Sequence, residues 1–393
     1  MRPVLNAVLW SAVFPFAALA EPPVKAVAEP GTRPLVEDCK RLDADRQRAG
    51  DAWMTLLTED LRNRSDADSM ATLAALEASS AARGAVRAGE DGLSAEQREK
   101  MVEAAAEGGR AAFARLWPRR DALAWSQLYP LFEHHRHHLD VGDRQRWEAY
   151  LIQRAGRSMH AFALRVRALQ ESDAAPEVMD ALLDQAAREG EPAEDIHYDA
   201  MRRFVPALSR VPVPAALRTL REPCDQLGEG LTHWELSESS FVTLTASTFA
   251  MSLIPLREYP SEQCNAQNAA PETQRADACR RIARMLALEG RTLLARGIGA
   301  GYWQRLARNP AEQAAALQAK RQARWWLEEG LAQLGYEPGQ PRHWPARTEA
   351  TTHIILEPGS SELEAARRAL REAGLGDSPP EAWMPVNPAS LQP

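Results

Sequence analysis

The chain has 393 residues, 45% of them hydrophobic, with 47 Lys and Arg against 54 Asp and Glu, a formal charge of −7. That length buries a large core, as about two domains or one elongated array. The acidic balance excludes a nucleic-acid binder driven by net positive charge.

Lysine occurs only at positions 25, 40, 100 and 320, and none has a serine three residues before it. The Ser-x-x-Lys nucleophile of penicillin-binding enzymes is therefore absent, and so is the Gly-x-Ser-x-Gly elbow of common hydrolases.

The N-terminal stretch reads as a secretory signal peptide over residues 1–20. Arg2 supplies the positive start, and an apolar run from Val4 to Leu19 is broken only by Asn6, Ser11 and Pro15. Ala18 and Ala20 give the small residues of a cleavage site before Glu21. The run is shorter than the roughly 20 apolar residues of a membrane span. No cysteine sits at the cleavage point, so lipid attachment there is not expected, and no later stretch is apolar enough to span a bilayer. The expected location is periplasmic or secreted. Residues 21–34, "EPPVKAVAEPGTRP", read as a Pro-rich extended linker.

From 35 to 334 the spacing predicts helices. Met159, Phe162, Ala163, Val166 and Leu169 form one apolar stripe, Val178, Ala181, Leu182 and Ala186 a second, and His197, Met201, Phe204 and Leu208 a third. His197 is expected to be buried and hydrogen-bonded on that last stripe. Ser94 with Gln97 predicts a capping-box start, and helix stops are expected at Gly50, Gly190 and Gly330. Residues 175–208 read as one helix–turn–helix, 34 residues long like a tetratricopeptide unit. Amphipathic pairs of this kind bury their faces by stacking. The expected fold class is therefore all-α: stacked helix pairs, as a tetratricopeptide-like α-solenoid or an irregular helical array. A C-terminal α/β or irregular extension occupies 335–393. It contains a strand-like run "TTHIILEP" at 351–358, a helix started by Ser361 with Glu364, and a Pro-rich tail expected to be extended or disordered.

"EHHRHHLD", 133–140, holds four of the nine histidines. On an α-helix His134 and His138 share a face, and with Asp140 they form a candidate metal site. The residue after the first histidine is another histidine, so HExxH is absent. The other reading is a solvated helix end, where such side chains suit the helix dipole. His160, His233, His343 and His353 have no partner that the sequence identifies. "RGIGAGYW", 296–303, follows a helix and lacks Lys-Ser/Thr, so its glycines indicate close helix contact or a break rather than a phosphate loop.

Cys39, Cys224, Cys264 and Cys279 form an even set in a chain read as exported, which points to disulfides. Cys264 and Cys279 are expected to staple two helices, while Cys39 and Cys224 either pair or remain buried thiols. Trp303, Trp325 and Trp326 are candidates for core and for the lining of a partner groove.

Three features carry a resemblance. They are "SMHAFALRVRALQESDAAPEVMDALLDQAAREGEPAEDIHYDAMRRF", the helix leading into Cys264, and "RADACRRIARMLALEGRTLLARGIGAGYW". This arrangement resembles a group of uncharacterised exported helical proteins of xanthomonad-type bacteria, over roughly 120–310, that look like degenerate tetratricopeptide-type arrays. The resemblance implies fold and compartment, and no activity. The resulting expectation is a non-enzymatic helical scaffold binding a protein or peptide in the cell envelope, with no cofactor and no nucleic acid. The alternative is a metal-dependent envelope enzyme using the His134–His138 cluster.

Overall fold

The computed structural model describes residues 33–87, 94–193, 195–218, 242, 259–265, 270, 273–333, 357 and 360–392. The signal peptide, the linker up to residue 32, all of the strand-like run but Glu357, Cys224 and the Cys39 side chain lie outside the described residues.

The described chain is helical. Its elements are α1 (Arg33–Arg62), α2 (Ala67–Arg87), α3 (Ala95–Leu116), α4 (Trp125–His135), α5 (Val141–Ala155), α6 (Met159–Glu171), α7 (Pro176–Glu189), α8 (Ile196–Leu208) and the short α9 (Ala215–Arg218). Then come α10 (Gln274–Glu289), α11 (Leu293–Leu306), α12 (Pro310–Trp325), a π-helical turn (Trp326–Gly330), α13 (Leu331–Gln333) and α14 (Glu362–Glu372). One isolated parallel bridge, Ser158 with Glu191, is the only β-type pairing among the described residues. No helix among them is long and apolar enough to cross a membrane.

Short polar side chains start these helices by accepting free backbone N–H groups. Ser94 and Gln97 form the expected reciprocal box, at 3.2 and 2.8 Å. Thr292 caps α11 through the Ala295 N–H at 2.9 Å, and Asn309 caps α12 through the Glu312 N–H at 2.9 Å. Ser361 accepts the Glu364 N–H at 3.2 Å, as its spacing predicts.

Two of the three expected glycine stops are corrected. α1 runs through Gly50, because Trp53, Leu57 and Leu61 carry the apolar stripe onward into the core. Their burial outweighs the ~1 kcal/mol that an interior glycine costs a helix. At Gly330 the chain stays helical to Gln333. A Cβ there would lie 2.7 Å from Ala366 Cβ, so this glycine lets α14 approach. Gly190 does end α7, in an extended conformation with φ −64°.

Three clusters of buried side chains organise the helices. The first gathers α1 to α5 and α8 around Leu57, Phe113, Tyr129, Phe132, Trp147 and Phe204. The second joins α6, α7, α10 and α11 through Met159, Phe162, Leu183, Ile282, Leu286 and Trp303. The third packs Leu293, Trp325 and Trp326 against Leu363, Ala366 and Leu370 of α14. α6 serves two of them: Leu164 points into the first, Met159, Phe162 and Val166 into the second.

The 175–208 stretch forms its two helices, but they divide between cores. α7 packs on α6 and α10, whereas α8 packs on α2 and α4. The linker between them is tied to the start of α6 by Met159 N–H to Glu191 O at 2.9 Å and Glu191 N–H to Arg157 O at 2.8 Å. These bonds carry α8 away from α7. Consecutive packing occurs further on, where short turns join α10, α11 and α12 and each helix contacts the other two.

Gly299 sets the α10–α11 distance. A Cβ there would stand 2.7 Å from the Ala283 carbonyl oxygen and 2.8 Å from the Leu286 carbonyl carbon. Gly297 and Gly301 face open space. Close helix contact is thus the reason for one of the three glycines in "RGIGAGYW". Gly299→Ala is expected to lower the unfolding free energy by about 1–3 kcal/mol, because backbone has to move. Gly297→Ala should instead be neutral or stabilising, which paired denaturant titrations will show.

The Cys264–Cys279 disulfide is present, with the α-carbons 5.6 Å apart. It joins a turn, not a second helix, to the second turn of α10. The Tyr259 hydroxyl donates to Cys279 O at 3.3 Å in the same place.

Candidate functional site

The histidine stretch is a helix end followed by tighter winding. α4 stops at His135, and Arg136–His138 form a 3₁₀ turn. This removes the regular α-helical turn on which His134 and His138 were expected to align. The reading of a solvated end also needs correction at His135, which is buried with its ring edge-on to Phe113 at 5.9 Å. Gly109 makes the room, since a Cβ there would lie 2.6 Å from His135 Nδ1. His138 is half-buried, and burial together with Arg110 lowers its pKa. Asp140 caps α5, its Oδ1 accepting the Asp143 N–H at 2.7 Å. The side chains of His134 and His137 lie outside the described residues. Among the described residues no three His, Cys, Asp or Glu side chains are grouped to hold a metal ion.

A polar cluster sits where α4, α5 and α6 meet. Positions 160, 164 and 167 share one face of α6, by the i, i+4, i+7 rule. His160 stacks beside Tyr129, with ring centroids 4.6 Å apart, and Arg167 pairs with Glu133. Arg136 bonds Glu171 at 2.7 Å and lies 3.7 Å from Glu148, whose carboxyl is pushed up by burial and by Glu171. His160 is 3% exposed, and neither ring nitrogen has a hydrogen-bond partner among the described residues. Burial pushes its pKa down to about 3.

The folded state therefore holds His160 neutral, while the unfolded chain binds a proton near pH 6.5. Its stabilising share is complete above that pH and is lost as pH falls toward 3. Between pH 6 and 4 the unfolding free energy of His160→Phe should gain on the parent by on the order of 1 kcal/mol per pH unit. Denaturant titrations of both proteins at four pH values check this. His197 is half-buried, with its pKa pushed down by burial to about 4. Its Nδ1 has no hydrogen-bond partner among the described residues, unlike the bonded histidine expected.

Asp195 joins two helix starts. Its carboxylate accepts the Tyr198 N–H at 3.2 Å in α8 and the Glu362 N–H at 3.4 Å in α14. Burial pushes Asp195 up to about 6; burial and the Asp195 charge push Glu362 up to about 8. Arg202 donates to Ser360 O in the same corner.

The most extensive polar recognition is made by the chain's own C-terminal segment, 376–392. It is irregular apart from a 3₁₀ turn at Pro388–Leu391. It is not loose: α11 and α12 hold it by its backbone carbonyls. Gln304 donates to Leu391 O at 3.1 Å, and Lys320 to Gln392 O. Arg321 serves the carbonyls of Pro380, Glu381 and Trp383, at 3.2, 2.9 and 2.9 Å. Gln322 donates to Asp377 O, Trp325 Nε1 to Gly376 O at 3.0 Å, and Trp326 Nε1 to Asp377 O at 3.1 Å.

The π turn extends this face. Glu329 accepts from Trp383 Nε1 at 3.2 Å, and Glu328 from the Val386 N–H at 2.8 Å. Two side chains of the segment are gripped in turn. Asp377 receives Arg367 Nε and Nη2 at 3.0 and 2.9 Å, a bidentate pair. The Trp383 ring stands edge-on to Trp325 at 5.4 Å.

Trp303, Trp325 and Trp326 are 5%, 3% and 7% exposed. Their rings are core; the indoles of 325 and 326 donate to the segment through Nε1, and the Trp325 ring also meets Trp383. The polar residues beside them, Lys320, Arg321 and Gln322, do the holding, and helical spacing alone assigns them no such role. Their signal was a donor-rich "KRQARWW" in a chain that ends in prolines. No protein-family model, curated protein or solved structure matches this chain.

Proposed function

We propose that the protein is a non-enzymatic helical scaffold of the cell envelope that binds a protein or peptide partner. One observation carries this reading: five side chains of α11 and α12, with Trp326 of the π turn, hold an irregular segment through its main chain. Main-chain recognition of this kind gives affinity with little dependence on sequence, and side-chain pockets then add specificity. The envelope assignment is supported by the apolar stretch 4–19 with Ala18 and Ala20, by the resemblance to exported helical proteins, and by the Cys264–Cys279 bridge. The array-like arrangement is supported by the run α10–α11–α12, in which short turns reverse successive helices.

Cell fractionation and affinity capture from an envelope extract test the reading together. A protein retained stoichiometrically by the parent and released by Arg321→Ala supports it. A chain found in the cytoplasm, or one retaining nothing, removes it.

A further inference from the structure

We propose that the corner where α8 and α14 begin is a pH-operated clasp, closed while Asp195 and Glu362 hold one proton between them and loosened, with release of the first turn of α14, when both carboxyls are ionised. The device stands apart from the scaffold reading and needs no partner.

The corner is built for one negative charge. Asp195 is the N-cap of α8; one of its oxygens accepts the Tyr198 N–H and the other the Glu362 N–H of α14, at 3.2 and 3.4 Å. A single carboxylate thus serves free donors at two helix starts, and the dipoles of both helices favour an anion there. Glu362 brings a second carboxyl to the same place, where the Asp195 charge opposes its ionisation. Among the described residues none donates a hydrogen bond to the Glu362 carboxyl.

The neighbouring cations are already engaged. Arg202 favours the Asp195 charge, but it donates to Ser360 O and lies 3.8 Å from Asp199, which opposes that charge. Arg203 lies 3.3 Å from Asp68 of α2, and Arg368 bonds Glu357 at 3.0 and 2.7 Å. The turn that the clasp holds carries Leu363 of the third core and Ala365 of the first, so its release loosens the join between them.

Burial and the Asp195 charge push the Glu362 carboxyl up to about 8, and burial pushes Asp195 up to about 6. Around neutral pH the pair therefore keeps one proton, on Glu362. The closed corner holds this proton, whereas an opened, solvated Glu362 gives it up near its ordinary 4.5. Closure is fully supported below that pH, loses support as pH rises to 8, and loses no more beyond it. Asp195 adds to the same trend below about pH 6.

Hydrogen exchange in the full chain tests the clasp at amides 362, 364 and 365, which bond Asp195, the Ser361 hydroxyl and Ser361 O. Glu362→Gln, carried through the same pH series, cancels the intrinsic pH dependence of exchange. Between about pH 6 and 9, opening in the parent should rise about ten- to a hundred-fold over opening in the variant, while amides of α10 keep a constant ratio. Asp195→Asn keeps a capping side chain on α8 and removes one charge, so it should retain only part of that rise. If Glu362→Gln does not fold, the parent against Asp195→Asn makes the same comparison with a smaller rise. A constant ratio at the three amides overturns the proposal, and so does the full rise persisting in Asp195→Asn. An equal rise in α10 assigns the pH effect to the whole fold and overturns it as well.

Discussion

Arg167→Met is expected to lower the unfolding free energy by about 3–5 kcal/mol, the loss typical of removing one partner from a buried ion pair. The Arg167 and Glu133 side chains are 5% and 9% exposed, so the carboxylate left behind has no solvent to turn to. The matching double variant, Glu133→Leu with Arg167→Met, should recover most of that loss. Buried pairs often do little better than well-packed apolar residues of similar size. This pair is also short of partners, since Nε and Nη2 of Arg167 make no hydrogen bond among the described residues. Denaturant titration of the parent, both single variants and the double gives the coupling directly. A double variant as unstable as Arg167→Met would show that the pair does more than neutralise itself.

Removing the Cys264–Cys279 bridge is the second large effect. The cysteines are 15 residues apart, and closing a loop of that length is worth about 3 kcal/mol in the chain-entropy account. Both cysteines are buried in the second core, so reduction also leaves polarisable sulfur with altered packing. Cys264→Ala with Cys279→Ala should therefore move the denaturant midpoint down by that amount or more. Reductant added to the parent should lower its midpoint by at least that amount, and by more than it lowers that of the double variant. A loss under about 1 kcal/mol would mean that the turn is held by its other contacts, the Tyr259 hydroxyl on Cys279 O and the Tyr259 ring on Tyr302, at 4.1 Å.

Features encoded within a few residues were legible in the sequence. Ser94 with Gln97 and Ser361 with Glu364 cap helices because the motif and its target N–H lie within one turn. Apolar spacing matches the buried faces of α6 and α8, but not that of α7, which buries Met179, Leu183 and Ala186 and leaves Val178 and Ala181 of the expected stripe exposed; nor can spacing say what covers a face. Met179 and Leu183 of α7 meet α10, nearly a hundred residues on, while Phe204 of α8 meets the first core. The burial of His135 depends on a glycine at 109, and the three glycines of "RGIGAGYW" look alike until α10 lies against one of them. The C-terminal segment differs from its expectation for a related reason. Its prolines report that it is neither helix nor strand, and they say nothing of donors waiting on another helix. The candidate site was correspondingly half visible: the tryptophans stood out, but the polar residues that do the holding did not.

α6 gives the first two cores a party wall. With Leu164 turned one way and Phe162 and Val166 the other, neither side can be finished until this helix is seated. No cut at the α6–α7 turn yields two self-sufficient halves, because the piece lacking α6 keeps an open flank. Heat or denaturant should accordingly take both cores down together. What looks like a chain of separable helical parts is, through one thirteen-residue helix, a single cooperative body.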